Sequence, residues 1–361
     1  MTRRRDIYCT ISRYRKQLVS IQLYVLYYNM EGLLFMKEFT ITYNEAGQRF
    51  DKYLSKMLPE ASASFYYKML RKKNITLNGK KADGKEKIKQ GDVVRFFLAD
   101  DTFAKFAGEK KKEKNIPKLS LEKSGLKVLY EDEDILAFDK PAGLLSQKAK
   151  PADISVNDYL IAYLREQEDY DHQDSFLPSI CNRLDRNTSG IILCGKSLTG
   201  SMELGRMLKE RSLKKYYRCI VLGNVTADKL VGYIRKDEKT NKIIFSPKEF
   251  EGSSRVETSW KPVKSLTVLG ESCTELEVHL ITGKTHQIRG HLAGIGHPLI
   301  GDCKYGNRTF NDRCRKAFGV QSQMLHACRV VFPEDAGKLK KCSGRTIRAE
   351  LPENFLIIKE R

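Results

Sequence analysis

Long apolar runs are missing from this 361-residue chain, and so are the signatures of several common chemistries. Its most hydrophobic stretch, Leu18 to Phe35, is broken by Gln22, Asn29 and Glu31, which argues against a membrane span. Arg3-Arg4-Arg5 ahead of it looks like the start of a signal peptide, but no small-residue cleavage site follows. Residues 1–36 are therefore read as an extension, disordered or not native, because well-patterned sequence begins at Met36. None of the nine cysteines forms a C-x-x-C pair, and their number is odd. That disfavours a disulfide framework or a zinc ribbon; Cys194 and Cys219 lie in strand-like runs, as free buried thiols of a reducing cytoplasm do. Glycine-rich phosphate loops of the Walker or Rossmann type are absent, as are internal repeats. His286, His291 and His297, with Asp302 nearby, fit neither H-E-x-x-H nor a zinc-finger spacing, so no metal site is expected.

What the chain has in excess is positive charge: 65 Lys and Arg against 45 Asp and Glu, a net +20. With 41% hydrophobic residues it is long enough for two domains and a sizeable core. Such an excess draws polyanions, of which nucleic acid is the commonest.

Residues 37–99 read as a small module. Phe50, Tyr53, Leu54 and Met57 keep helical spacing, and Tyr66, Met69, Leu70 and Lys73 repeat it after Pro59. A short strand, Ile75-Thr76-Leu77, meets a turn at Asn78-Gly79, and a second strand begins at Val93. Lys68, Arg71, Lys72, Lys73, Lys80 and Lys81 cluster about the second helix and the turn, a pattern suited to phosphate contact. From Gln48 to Leu98 this order resembles the S4 RNA-binding domain. Residues 100–124, with Lys110-Lys111-Lys112-Glu113-Lys114, read as a charged linker.

Residues 125–361 read as one large mixed domain. Strands are expected at Leu136 to Phe138, Ile191 to Cys194, Tyr216 to Val221 and Leu276 to Leu280, the last with period-two alternation. Helices are expected at Ser201 to Arg211 and Thr285 to Ala293, with Ile288, Leu292 and Ile295 as one apolar stripe. The most telling segment is Asn182-Arg183-Leu184-Asp185-Arg186-Asn187-Thr188-Ser189-Gly190: an acid between two arginines, in turn-forming sequence, just ahead of Ile191-Ile192-Leu193. That arrangement places a carboxylate and cations at the mouth of a buried strand.

Four segments in this order, around Asp139-Lys140-Pro141, Asp185, Tyr217 and Thr282-Gly283-Lys284-Thr285-His286-Gln287-Ile288-Arg289, resemble the RluA family of RNA pseudouridine synthases, with Leu325-His326-Ala327 as a further match. The resemblance runs from about Val128 to Phe332. It implies an α+β fold: a mixed, largely antiparallel-sheet catalytic core behind the small S4-like α/β module. It also implies a reaction without metal or cofactor, in which the glycosidic bond of a uridine breaks and the base rejoins through C5. By the same resemblance Asp185 is the catalytic acid, which attacks the nucleotide or abstracts a sugar proton. Tyr217 stacks under the uracil, and Arg289 pairs with the carboxylate and keeps it charged. Arg183 fills the space of the flipped base, while Lys215, Lys284, His286 and Gln287 contact RNA; a structural role is the alternative for His286, His291 and His297. Asn182, Lys284 and Cys219 depart from the family pattern, and the first two are placed near the bound strand. The expected enzyme is a cytoplasmic monomer acting on ribosomal RNA of the large subunit. Transfer RNA is the alternative substrate. A non-catalytic RNA-binding or ribosome-assembly protein and a metal-dependent hydrolase are the alternatives from other classes.

Overall fold

The computed structural model describes residues 36–107, 119–167, 176–226, 228–240 and 242–359. The expected extension at residues 1–36 lies, but for Met36, outside the described residues, as does the lysine run at 110–114. The chain divides into two compact units, one built mainly on residues up to 115 and the other on those beyond.

The first unit comprises β1 (Met36–Thr40), α1 (Phe50–Met57), α2 (Ala63–Arg71), β2 (Ile75–Leu77), β3 (Val93–Phe97) and α3 (Asp100–Ala107). Its antiparallel sheet runs β1-β3-β2. Ser62 caps α2 by accepting a hydrogen bond from Phe65 N–H. Asn78 (φ 52°) and Gly79 (φ 71°) both adopt positive φ, as a tight hairpin turn needs, and Lys80 N–H closes the turn on Leu77 O at 2.9 Å. The six module cations, Lys68, Arg71, Lys72, Lys73, Lys80 and Lys81, are all exposed. One expectation needs correction. The linker does not begin at residue 100, because Asp100–Ala107 is a helix whose Phe103 is buried in the module's core, with Phe106 packed beside it. Two aromatics three apart outweighed the polar composition around them.

The second unit comprises α4 (Leu121–Ser124), β4 (Lys127–Glu131), β5 (Ile135–Lys140), α5 (Val156–Arg165), β6 (Ser179–Ile180), β7 (Ser189–Gly195), α6 (Leu198–Glu210), β8 (Lys214–Leu222), β9 (Asp228–Asp237), β10 (Lys242–Ser246), β11 (Ser254–Val268), β12 (Glu271–Leu280), α7 (Gln287–Gly294), α8 (Arg308–Phe318), β13 (Leu325–Val331), β14 (Thr346–Arg348) and α9 (Glu353–Lys359). The far end of the expected linker belongs here: α4 sends Leu121 against the core that buries Leu126. The sheet order is β10-β9-β11-β12-β8-β13-β7-β5-β4, with β14 on β13 and β6 on β7. Every pairing between named strands is antiparallel except β13 with β7.

Alternation along β8 and β12 decides what faces the cleft. Tyr217, Cys219 and Val221 join Leu276, Val278 and Leu280 in the central core, which α5 and α7 also enter. On the other face Arg218 pairs with the fully buried Glu275. β7 is buried along its whole length, as a strand covered on both faces must be. Gly190 sits where β7 runs beside β13: a Cβ there would lie 2.3 Å from Ala327 O, so no larger residue fits. Cys194 and Cys219 are free and buried, as expected. In α7 the apolar stripe ends at Leu292; Ile295 lies past the helix and is exposed.

Candidate active site

Asp185 sits in the loop between β6 and β7, and that loop is pinned from several sides. Ser146 Oγ donates to Leu184 O at 2.7 Å and accepts from Leu184 N–H at 3.0 Å. Asn182 Oδ1 accepts from Leu193 N–H at 2.7 Å, so its side chain is turned onto β7. Thr188 N–H closes a turn on Asp185 O at 3.0 Å. Beyond it, Gln323 donates to Thr188 Oγ1 at 3.1 Å, and Ser189 Oγ meets His326 Nδ1 at 2.8 Å. Burial holds that imidazole at a pKa of about 4, hence neutral at physiological pH.

Lys140 ties the loop to β5. Its side chain is fully buried, and Nζ donates to Pro141 O, Leu144 O and Arg186 O at 2.8, 2.9 and 2.9 Å. Burial pushes its pKa down to about 7, while the charges of Asp185 and Asp139 pull upward. Three carbonyls match the three ammonium protons, so the lysine works as a clip rather than a phosphate ligand.

The carboxylate itself meets α7. Arg289 Nη1 donates to Asp185 Oδ2 at 2.8 Å, while Nε and Nη2 grip the buried Asp302 at 2.7 and 2.9 Å. Burial works against the Arg289 charge, but Asp302 and then Asp185 outweigh it, so the guanidinium stays protonated. Burial likewise works against the charge on Asp302; Arg289 and the N–H groups of Lys304 and Tyr305 still hold its pKa below the usual carboxylate range. The rigid Asp302 fork aims one remaining guanidinium nitrogen at Asp185. Tyr305 lies 5.2 Å from that guanidinium, within cation–π range. His286 faces Asp185, Nε2 to Oδ2 3.8 Å, from the N-cap of α7, with its backbone at φ 52°. A non-glycine residue held in the left-handed region costs about 1–3 kcal/mol, a kind of strain that collects at functional sites.

These groups open on a cleft of about 1160 Å³. Its walls carry Lys148, Arg183, Arg186, Arg211, Lys215, Lys236, Arg255 and Lys284, and among the described residues that line it Asp185 is the one carboxylate. Tyr217 lines it too. Burial raises its phenol pKa, with the Asp185 charge adding to the rise, so the ring stays neutral. The cleft is larger than an ordinary small-molecule pocket and leaves room for a nucleic-acid segment.

The sequence and the fold have counterparts among known proteins. Residues 134–294 match RNA pseudouridylate synthase, and residues 48–94 match the S4 domain. The ribosomal large subunit pseudouridine synthase C of Vibrio cholerae is 30% identical over 82% of this chain and 88% of its own length. The chain belongs to the RNA pseudouridylate synthase family. The Escherichia coli ribosomal large subunit pseudouridine synthase C is 29% identical over 88% of this chain and 93% of its own length. An uncharacterized RNA pseudouridine synthase of Mycoplasma genitalium is 28% identical over 82% and 89%. A solved structure, human RNA pseudouridylate synthase domain containing 4, shares the fold, with a TM-score of 0.50 and 21% identity, over 64% of this chain and 91% of that one. The protein is thus an RNA pseudouridine synthase, an isomerase.

Of the residues expected at the synthase's site, Asp185, Tyr217, Arg289, Arg183, Lys215, Lys284 and His286 all line the cleft. Gln287 lines the cleft as well, but its amide is turned away from it. It is buried, and its amide donates to Glu257 O and Thr258 Oγ1 and accepts from Thr282 Oγ1 and Lys284 N–H, so it braces the loop onto β11 instead. Lys68, Arg71, Lys72, Lys73, Lys80 and Lys81 belong to the other unit. The three histidines part company: His291 is buried against Phe245, and His297 Nδ1 meets Leu222 O at 3.0 Å. Sequence reasoning offered Lys140 as a phosphate contact or a turn residue rather than a clip, and missed Ser146, Asp302 and Tyr305 as builders of the site. The signal available for the last two was their spacing in Gly301-Asp302-Cys303-Lys304-Tyr305-Gly306, downstream of Arg289.

Proposed function

We propose that the chain isomerises uridine to pseudouridine in large-subunit ribosomal RNA, acting in the cytoplasm as a monomer, with Asp185 as the catalytic carboxylate. The observation that carries the assignment of Asp185 is its place as the one acid among the described residues lining a cationic cleft, 2.8 Å from a buried guanidinium. Cations on the walls bind the phosphates, and the target nucleotide leaves the stack at a cost of a few kcal/mol. Arg183, exposed beside the acid, takes the vacated place in the RNA, and the Tyr217 ring supports the uracil. Asp185 then acts on the sugar, as nucleophile or as base. The glycosidic bond breaks, the base turns, and C5 bonds to C1′ before its proton is lost. Lys215 and Lys284 hold the strand at the cleft. The small module adds affinity through its six exposed cations and is joined to the catalytic domain by a linker. The names of the relatives favour ribosomal RNA of the large subunit.

The test is pseudouridine mapping of all cellular RNA in a strain lacking the gene, complemented with wild type or Asp185→Asn. Sites lost from large-subunit RNA and restored by wild type alone support the reading. Sites lost from transfer RNA instead would overturn the substrate, and restoration by Asp185→Asn would overturn the role of the carboxylate.

A further inference from the structure

A short chain of polar contacts joins the hairpin β9–β10 to the acid. Ile243 N–H donates to Tyr305 Oη at 2.8 Å, and Tyr305 Oη meets His286 Nδ1 at 2.9 Å. His286 Nε2 faces Asp185 Oδ2 at 3.8 Å. A phenol has one proton to give. With a main-chain N–H already donating into its oxygen, the arrangement that gives every group a partner sends the Tyr305 proton to Nδ1. The imidazole proton then sits on Nε2, pointed at the carboxylate. The hairpin seats on α7 where side chains are missing. A Cβ at Gly290 would lie 2.0 Å from Ile243 Cδ1 and 2.4 Å from Cγ1, and one at Gly294 would lie 2.7 Å from Phe245 Cδ1. Ile243 is thus both the plug that docks the hairpin and the donor that orients Tyr305.

We propose that His286 is a positioning residue for Asp185 and that the docked hairpin sets it, through Tyr305, to offer Nε2–H to the carboxylate. This rests on Asp185 being the catalytic acid. With a nucleotide in the cleft the 3.8 Å separation closes to a hydrogen bond, giving Asp185 a second fixed donor beside Arg289; catalytic hydrogen bonds commonly tighten only when substrate is bound. Burial lowers the pKa of His286, Asp185 and Asp302 raise it, and Arg289 and Lys304 lower it; the sum is a lowering, which favours the neutral ring.

The experiment measures single-turnover pseudouridine formation, RNA affinity and Tm with the full chain. The probes are an unmodified large-subunit ribosomal RNA transcript and, beside it, unmodified transfer RNA. Tyr305→Phe should slow the chemical step about tenfold, the worth of one hydrogen bond, at unchanged RNA affinity. His286→Gln should slow it at least as much, and the double variant should be no slower than His286→Gln alone, because both act along one path. Gly290→Ala should also slow it. Ile243→Ala in that background should recover most of the rate, since only the Ile243 Cβ, at 3.9 Å, remains near the new methyl and the N–H is kept. Ile243→Val, which keeps an atom at the Cγ1 position, should not. Additive losses from Tyr305 and His286, a wild-type rate for Tyr305→Phe, or no recovery by Ile243→Ala would each overturn the proposal. A wild-type chain that modifies neither RNA would instead overturn the proposed function beneath it.

Discussion

Around the Asp185 loop two buried cations are spent. Arg289 serves two carboxylates and Lys140 serves three carbonyls, both out of water. On the small module six cations stand in solvent, and none makes an ion pair with another described residue. The first arrangement fixes one atom in one place, so losing any member costs geometry. The second, if it meets RNA as proposed, offers many weak, interchangeable phosphate contacts, so losing one should cost a share of affinity and nothing else.

Substitutions should separate the two regimes. Apart from the carboxylate itself, the largest effect is expected from Arg289→Lys. It keeps a charge but cannot hold Asp302 and Asp185 together, and the misplaced acid should slow single-turnover isomerisation roughly 100-fold. Lys140→Met comes next. It takes the donor from three carbonyls at a buried side-chain site, and chemical unfolding should show a loss of about 2–3 kcal/mol with RNA affinity little changed. Replacing Arg71 and Lys72 together by Gln should leave the rate at saturating RNA unchanged, while the slope of log affinity against log salt falls by about 2, one for each phosphate contact. A changed rate constant there would erase the distinction between the two surfaces.

The smallest effect is in acid. The folded-state pKa of Asp302 lies below its ordinary 3.8, so the unfolded chain binds the proton more readily. The stability that this pair contributes is complete above about pH 4 and is lost as pH falls through the lowered value. Asp302→Asn should flatten that acid limb in a pH series of Tm values.

How much of this could be read beforehand depended on whether a residue's role is local. Asp185 and Arg289 are 104 residues apart; the family resemblance of their two stretches implied the pairing, and the structure joins them. The Asn78-Gly79 turn was legible because positive φ restricts residue choice at two adjacent positions. Lys140 was not legible as a clip, since its acceptors are main-chain oxygens that no sequence pattern marks, one of them 46 residues away. Gln287 misled for the converse reason: a polar residue at the start of a helix reads as exposed, but the loop before it folds its amide inward. Helix α3 hid in a polar stretch because only Phe103 and Phe106 signal its buried side.

The most direct test is single-turnover pseudouridine formation by purified Asp185→Asn on unmodified large-subunit ribosomal RNA, with affinity measured on the same sample. Asparagine keeps the shape and can still accept from Arg289, so binding should stay near wild type while product formation falls by at least about a thousandfold. Product formed at a near-wild-type rate would contradict a catalytic role for Asp185.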